Sequence, residues 1–178
     1  MITVDELLER LDAGESFEEE SLSGIDLTGA DLKGRILAGV DLSRANFTGA
    51  DCTQCDFSGS DVSDANFAEA NLTEADFTEC KASGADFTNA TLDTATMTGG
   101  DFNGAVFVTA SLVDADLSEG DFTSSDFTSA ALNGADLSSA DFTNATLVGA
   151  DLTDATFADT VLEEADLDGA IGLDMDDD

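Results

Sequence analysis

An apolar side chain returns at every fifth residue from Phe17 to Leu167. These 31 positions hold 15 Leu, all 12 Phe of the chain and four other apolar residues, so no polar residue interrupts the series. Two residues before them, between Ile25 and Ala165, 19 of 29 positions are Ala. A period of five fits neither a helix nor a strand. We conclude that each five-residue unit buries one large and one small side chain.

The residue between these two positions is Asp or Asn in 19 of the same 29 units, and alternation turns it outward. Twelve of the 16 glycines share one later position, where a type II turn requires a positive φ. Each unit therefore predicts a very short strand followed by a corner, and the series predicts an all-β solenoid. A period of twenty, meaning four sides per coil, would stack Phe47, Phe67, Phe87, Phe107 and Phe127 in one column.

The two ends depart from the repeat and predict three segments. Residues 1–16 form a capping helix, with Thr3 and Glu6 suited to a capping box, an apolar stripe of Val4, Leu7, Leu8 and Leu11, and Gly14 at the C-cap. Residues 17–170 form the solenoid. Residues 171–178 form an acidic tail, in which Ile171 and Leu173 fold back or meet another chain.

The units ADLSS, ADFTN, ANFTG and ANLTE resemble the A(D/N)LXX motif of the pentapeptide-repeat family over about residues 20–170. The resemblance implies a right-handed, four-sided parallel β-helix of about 7–8 coils. It also implies one functional option, because some members resemble DNA and bind DNA gyrase. Those members rely on projecting loops or a C-terminal dimerisation element. The present chain departs from the motif at Arg35 and Ile36, at Lys81 and Ala82, and at Val106.

The chain carries 40 Asp and Glu against 5 Lys and Arg, and no cation follows Lys81. Direct nucleic-acid binding is not expected, because phosphates are repelled by such a surface. Neither a signal peptide nor a membrane-spanning stretch is apparent, so we expect no membrane association and a cytoplasmic location. Three cysteines fit a reducing compartment.

Candidate catalytic chemistry is sparse, and we expect neither an enzyme nor a cofactor. The chain has no His, no GxSxG and no phosphate loop. CTQC at 52–55 resembles a redox or zinc motif, but Cys52 and Cys55 fall on inward positions, so we interpret them as core residues. GGDF at 99–102 is one repeat unit with Gly100 in the Ala position.

The candidate interaction site is an outward acidic ladder of Asp41, Asp61, Asp101, Asp121 and Asp141, with Lys81 inside it to relieve repulsion. The first functional hypothesis is a non-catalytic solenoid that presents this rigid acidic surface to an unidentified protein partner. The second is a DNA mimic that regulates a type II topoisomerase, DNA gyrase. A saline habitat is an alternative explanation of the acidity. We expect a monomer, or a weak dimer through the C-terminal coil.

Overall fold

Parallel pairing between residues twenty positions apart organises the chain. The computed structural model describes residues 2–15, 17 and 21–173. In it, 27 parallel β-bridges link consecutive coils, beginning with Ser21 to Asp41 and ending with Asp151 to Ile171. Four bridge positions fall in each coil of twenty residues, so residues 21–171 make about seven and a half coils. The four-sided coil is confirmed. The predicted short strands are single bridge residues, because no strand of two or more residues occurs among the described residues.

A β-turn closes every unit and bends the chain to the next side. In the first unit the amide of Ile25 donates to the carbonyl of Leu22 at 3.0 Å, and Gly24 between them has a φ of 69°. The equivalent residue has a φ between 54° and 70° in all 30 units from Gly24 to Gly169, although only 12 are Gly. A left-handed residue other than Gly costs roughly 1–2 kcal/mol. The pairing of coils above and below holds the other 18 in this conformation.

The apolar positions fill one continuous core. Phe47, Phe67, Phe87, Phe107 and Phe127 stack as predicted, with ring centroids 4.5 to 5.0 Å apart and nearly parallel planes. Phe residues of the opposite side, such as Phe57, meet this column edge to face at 5.7 Å. Such pairs add stability beyond the area they bury. Phe rings stack in this way on three of the four sides of the core.

Outward Asp and Asn residues cap the turns. At all 19 positions where Asp or Asn precedes the central apolar residue, the side-chain oxygen accepts a hydrogen bond from the backbone amide two residues later. The Ser or Thr hydroxyl of that later residue often donates to the same oxygen, as Thr53 does to Asp51 at 2.5 Å. These Asx turns make the outward residue part of the fold.

Helix α1, Val4–Asp12, covers the first coil as predicted. The amide of Glu6 donates to the Thr3 hydroxyl at 3.2 Å, and Gly14 follows the helix with a φ of 72°. Leu7 and Leu11 are buried, while Val4 and Leu8 pack against the core less completely. A salt bridge from Arg35 to Asp12 joins the helix to the coils. Arg35, which departs from the repeat, thus contacts the helix that covers the first coil.

The C-terminal end leaves the repeat at Gly172. Ile171 still pairs with Asp151, with its side chain 56% exposed, and Leu173 is half-buried against the core. The predicted acidic tail lies outside the described residues from residue 174 onward. The predicted division at residues 16 and 170 remains a prediction.

Two glycines in the Ala position make room for aromatic rings. A Cβ atom at Gly100 would lie 2.6 Å from Cε2 of Phe102, and one at Gly120 would lie 2.6 Å from Cε2 of Phe122. Phe102 and Phe122 stack with centroids 5.0 Å apart, so neither ring is free to move aside. The GGDF sequence therefore satisfies a packing requirement.

The substitution Gly100→Ala should lower the free energy of unfolding by about 1–3 kcal/mol, because it overpacks the core against the Phe102 ring. Chemical denaturation measures this loss. Adding Phe102→Leu should remove most of the penalty, since Leu occupies many equivalent positions.

Gly99→Ala is the matched control. Its Cβ would have only an ordinary contact, 3.9 Å from Cγ of Glu79, but its φ is 64°. The control should also destabilise, by about 1–2 kcal/mol, through backbone strain. Phe102→Leu should not rescue it. Equal rescue of both variants would contradict the packing explanation.

The Asx hydrogen bonds also make stability depend on pH. The Ser21 and Ser43 hydroxyls hold the pKa of Asp41 below its usual value, and Thr53 does the same for the pKa of Asp51 through its hydroxyl and its amide. The pKa values of Asp136 and Asp151 are lowered mainly by the hydroxyls of Ser138 and Thr153. A carboxylate with a lowered folded pKa contributes stability above its unfolded pKa and loses it as the pH falls through the folded pKa.

We therefore expect the wild-type protein to lose more stability between about pH 5 and about pH 2 than a variant with Asn at positions 41, 51, 136 and 151. Asn46 shows that Asn makes the same cap without titrating. Denaturation across this pH range compares the two proteins. Parallel pH profiles would contradict the expectation.

Candidate interaction surface

The predicted acidic ladder forms one continuous row on the outside of the solenoid. Parallel bridges join Asp41 to Asp61, Asp61 to Lys81, Lys81 to Asp101, Asp101 to Asp121, and Asp121 to Asp141. Neighbours in such a row lie about 4.8 Å apart. The ladder residues are exposed or half-buried. The geometry of the ladder is thus present, while its role in binding stays a prediction.

One oxygen of each ladder carboxylate is occupied by the turn beneath it. The amides of Ser43, Thr123 and Thr143 donate to Asp41, Asp121 and Asp141 at 3.1, 2.9 and 2.8 Å. Asp61 and Asp101 accept from the amides of Ser63 and Asn103, each at 3.1 Å. The cap fixes the side chain and leaves its negative charge on the surface.

Lys81 stands inside the row, as predicted, but forms no ion pair within 4.0 Å with any residue that the structure describes. In its unit there is no carboxylate to accept the usual hydrogen bond. The Ser83 hydroxyl donates instead to Oδ1 of Asp101 in the next coil, at 2.8 Å. Lys81 therefore reduces the charge of the row without a direct contact.

With Lys81 counted, the ladder row carries a net charge of −4, which equals that of two of the other rows. Among bridge positions from 21 to 171, the ladder row holds five Asp, two other rows hold four each, and the remaining row holds three. The negative charge therefore surrounds the rod. A ladder-specific partner would have to recognise the arrangement of the side chains as well as their sign.

The three cysteines are core residues. Cys52, Cys55 and Cys80 are each at most 1% exposed and unpaired. A hydrogen bond with Cys55 and burial raise the pKa of the Cys52 thiol, and burial raises that of Cys80. Thiols that stay protonated are poor nucleophiles and metal ligands. The interpretation of CTQC as core packing is confirmed by this placement.

Two cavities lie at the N-terminal end of the solenoid, the second of them lined in part by Ser21, which pairs with the ladder residue Asp41. One of about 260 Å³ is lined by residues that include Leu11, Phe17, Arg35 and Ile36, and one of about 300 Å³ lies between Ile2 and Leu22. Within the described residues, no group of three or more His, Cys, Asp or Glu side chains is arranged to hold a metal ion. No helix of the described chain is long and apolar enough to cross a membrane.

Sequence reasoning missed the hydroxyl residues that position the carboxylates. It treated Asp as a solvated residue, whereas the Ser or Thr two residues later orients it, as Ser43 orients Asp41 at 2.7 Å. The recurring D-x-S/T spacing was the signal available in the sequence. It identifies a hydrogen-bonded pair only once the turn geometry brings the two side chains together.

Two protein-family models match the sequence of this chain. A model described as a pentapeptide repeat region matches residues 30–107, and a model of pentapeptide repeats matches residues 97–128 and 135–171. No match was found among curated proteins.

Solved structures give a similar result. A trypsin-treated variant of QnrB1, a plasmid-mediated fluoroquinolone resistance protein, is 27% identical with a TM-score of 0.64, and the match covers 82% of this chain and 78% of QnrB1. HetL, a pentapeptide repeat protein from Nostoc sp. strain PCC 7120 involved in heterocyst differentiation regulation, is 25% identical with a TM-score of 0.44 over 96% and 97% of the two chains. Together with the repeat register and the four-sided coil, the two family models and the likeness to QnrB1 show that the chain belongs to the pentapeptide-repeat family, whose fold is the quadrilateral β-helix.

Proposed function

We propose that the protein is a non-catalytic solenoid that presents a rigid, acidic surface to a protein partner. The observation that carries this proposal is the capping of all 19 outward Asp and Asn residues by their own turns. Side chains fixed before binding lose less conformational entropy when a partner docks. A regular array of fixed carboxylates suits recognition of a basic protein surface.

The same geometry argues for binding over catalysis. Carboxylates are activated for catalysis when burial or a second carboxylate raises the pKa. Here the Ser and Thr hydroxyls lower the pKa of outward residues such as Asp41 and Asp51, which keeps them charged. An ionised, exposed carboxylate is a poor general acid and a good partner for Lys or Arg.

Substitution of the whole ladder tests this proposal. In a variant with Asn at positions 41, 61, 101, 121 and 141, the caps are retained and five negative charges are removed. We expect the variant to fold normally and to lose proteins that the wild-type chain captures from native cytoplasm. Affinity capture followed by mass spectrometry, with circular dichroism as a check on folding, provides the measurement.

A matched control removes five charges from the other three sides, with Asn at positions 56, 86, 116, 126 and 151. These five residues have the same caps. The control should keep the partner if the ladder is the binding surface. Loss in both variants would show that total charge matters and the ladder does not. Retention in both would refute an acidic binding surface.

A second candidate function, mimicry of DNA toward a type II topoisomerase such as DNA gyrase, is favoured by charge density. Residues 22–169 hold 28 acidic and 4 basic residues, a net charge of −24 by subtraction. Over a rod of about 36 Å this is about 0.7 negative charge per Å, close to the value of about 0.6 for duplex DNA. The likeness to QnrB1, a fluoroquinolone resistance protein, adds support.

The mimic ranks second because the projecting loops expected of gyrase-binding members have no counterpart between residues 21 and 171, where the bridge register is unbroken. A gyrase supercoiling assay with added protein tests it. A DNA mimic should inhibit supercoiling, or protect the enzyme from a quinolone, in a dose-dependent and salt-sensitive manner. No effect at a large molar excess would eliminate this candidate.

Three further expectations belong to the proposal. We place the protein in the cytoplasm, because its cysteines are unpaired and buried. We expect the intact chain to be a monomer, or a weak dimer through its C-terminal coil. The right-handed winding expected from the family resemblance stays a prediction.

A further inference from the structure

The C-terminal coil, residues 152–171, ends in an open edge. Phe157, Leu162 and Leu167, one from each of three sides, are half-buried, whereas residues at equivalent positions in inner coils are fully buried. The fourth side is covered by the chain itself, because Gly172 lies against the backbone of Leu152 and Thr153. Among the described residues, nothing else covers this end.

The edge also presents a defined set of hydrogen-bonding groups. In inner coils the amide of the central residue donates to the next coil, as Leu147 does to the carbonyl of Asp166 at 2.7 Å. The amides of Phe157, Leu162 and Leu167 have no such acceptor within the described residues. An edge with unpaired groups and exposed apolar side chains is a template for another chain.

The first coil, residues 21–40, presents part of the complementary set. Inner central amides donate to the carbonyl nineteen residues later, a position that for Leu162 and Leu167 corresponds to Ser21 and Asp26 of a second copy. In inner coils the carbonyl of each bridge residue accepts a hydrogen bond from the preceding coil. The equivalent carbonyls of the first coil point away from the second coil. The carbonyls of Ser21, Asp26 and Asp31 accept no backbone hydrogen bond from the described residues. Because positions that differ by a multiple of twenty lie on the same side, a second copy placed in register sets Ser21 over Val161 and Asp26 over Asp166.

Charge favours this pairing of unlike ends. Residues 152–171 contain six acidic and no basic residues, whereas residues 21–40 contain two Asp, one Lys and one Arg. Two C-terminal coils facing each other would bring six negative charges against six. A C-terminal coil facing a first coil brings six against a formally neutral surface that carries Lys33 and Arg35. Repulsion is therefore much smaller between unlike ends.

Helix α1 occupies the surface that such a copy would use. Leu7 and Leu11 are buried in the core that the first coil begins, and Ile2 lies beside Leu22. Arg35 is engaged by Asp12 of the helix. With α1 in place the first coil cannot receive another chain, and with α1 displaced Arg35 is released at the exposed end.

We infer that the C-terminal coil is a docking surface for the first coil of a second copy of this chain, and that α1 is the lid that blocks the contact. The contact joins unlike surfaces, so each added copy presents a new free end and the series does not close. Displacement of α1 therefore produces linear head-to-tail assemblies. A contact between two C-terminal coils stops at a dimer.

The test uses the full-length chain with Leu7→Gln and Leu11→Gln, which removes the buried contacts of α1. Sedimentation velocity over a range of concentrations should show species of three and more copies that grow with concentration, where the wild-type protein shows none beyond a dimer. Asp5→Asn with Glu9→Gln, on the exposed face of the same helix, is the control and should behave like the wild-type protein.

A mixing experiment separates this contact from unspecific aggregation. Adding Phe157→Asp to the Leu7 and Leu11 variant blocks its C-terminal end and should leave it unable to assemble alone. Mixed with the wild-type protein, whose C-terminal end is open, it should form a one-to-one complex. Assembly that persists despite Phe157→Asp would show unspecific aggregation and overturn the proposal.

Two other outcomes also overturn the proposal, namely absence of the mixed complex and assembly that stops at a dimer. If circular dichroism shows that the Leu7 and Leu11 variant is unfolded, Leu11→Ala provides the second variant, because it removes only part of the buried contacts of α1. This variant should assemble, but only at a higher concentration than expected for the double variant. A folded Leu11→Ala protein that remains monomeric at all concentrations would equally refute the lid.

Discussion

The hydrogen bond between each coil and the coil twenty residues later is the constraint on which the rest of the structure depends. Each side contributes only one bridge residue per coil, so no single strand is stable alone. The register holds because every unit turns at the same position and places the same kind of side chain inside. An insertion of one residue would move all later apolar side chains to the surface. This explains why the chain between residues 21 and 171 has no loop in which a cleft could form.

That constraint leaves the outward residues as the part of the chain that is free to vary, and the caps limit even these. Asp and Asn accept the same hydrogen bond from the turn, as Asp51 and Asn71 show on one side of the solenoid. Asp occupies 16 of the 19 capped positions and Asn occupies three. Asn shows that the cap needs only the oxygen, but the lowered pKa values of Asp41 and Asp51 show that the turn stabilises the charged form of Asp. The excess of Asp over Asn therefore serves the fold, and it also leaves negative charge on the surface for binding or solubility.

The sequence predicts those features that depend on local spacing. The column of Phe47 to Phe127 follows from a period of twenty, and α1 follows from its cap and apolar stripe. The capping role of Asp could not be predicted in the same way, because alternation says only that a side chain faces outward. The contact between Arg35 and Asp12 joins segments with no shared periodicity. The ladder could be placed but not distinguished from the other sides by charge, since its five Asp together with Lys81 give the same net charge as the four Asp of two other rows.

A solenoid built by repeated translation has ends that complement each other, because each coil already accepts its neighbour. Covering one end of the solenoid is enough to stop head-to-tail assembly, because each such contact needs the first coil of one copy and the C-terminal coil of another. It does not prevent two uncovered ends from meeting, and here the acidic residues of the last coil oppose that contact through repulsion. The chain thus opposes two kinds of self-association by two different means. A helix blocks the first by occupying the surface, and charge weakens the second while leaving the surface accessible.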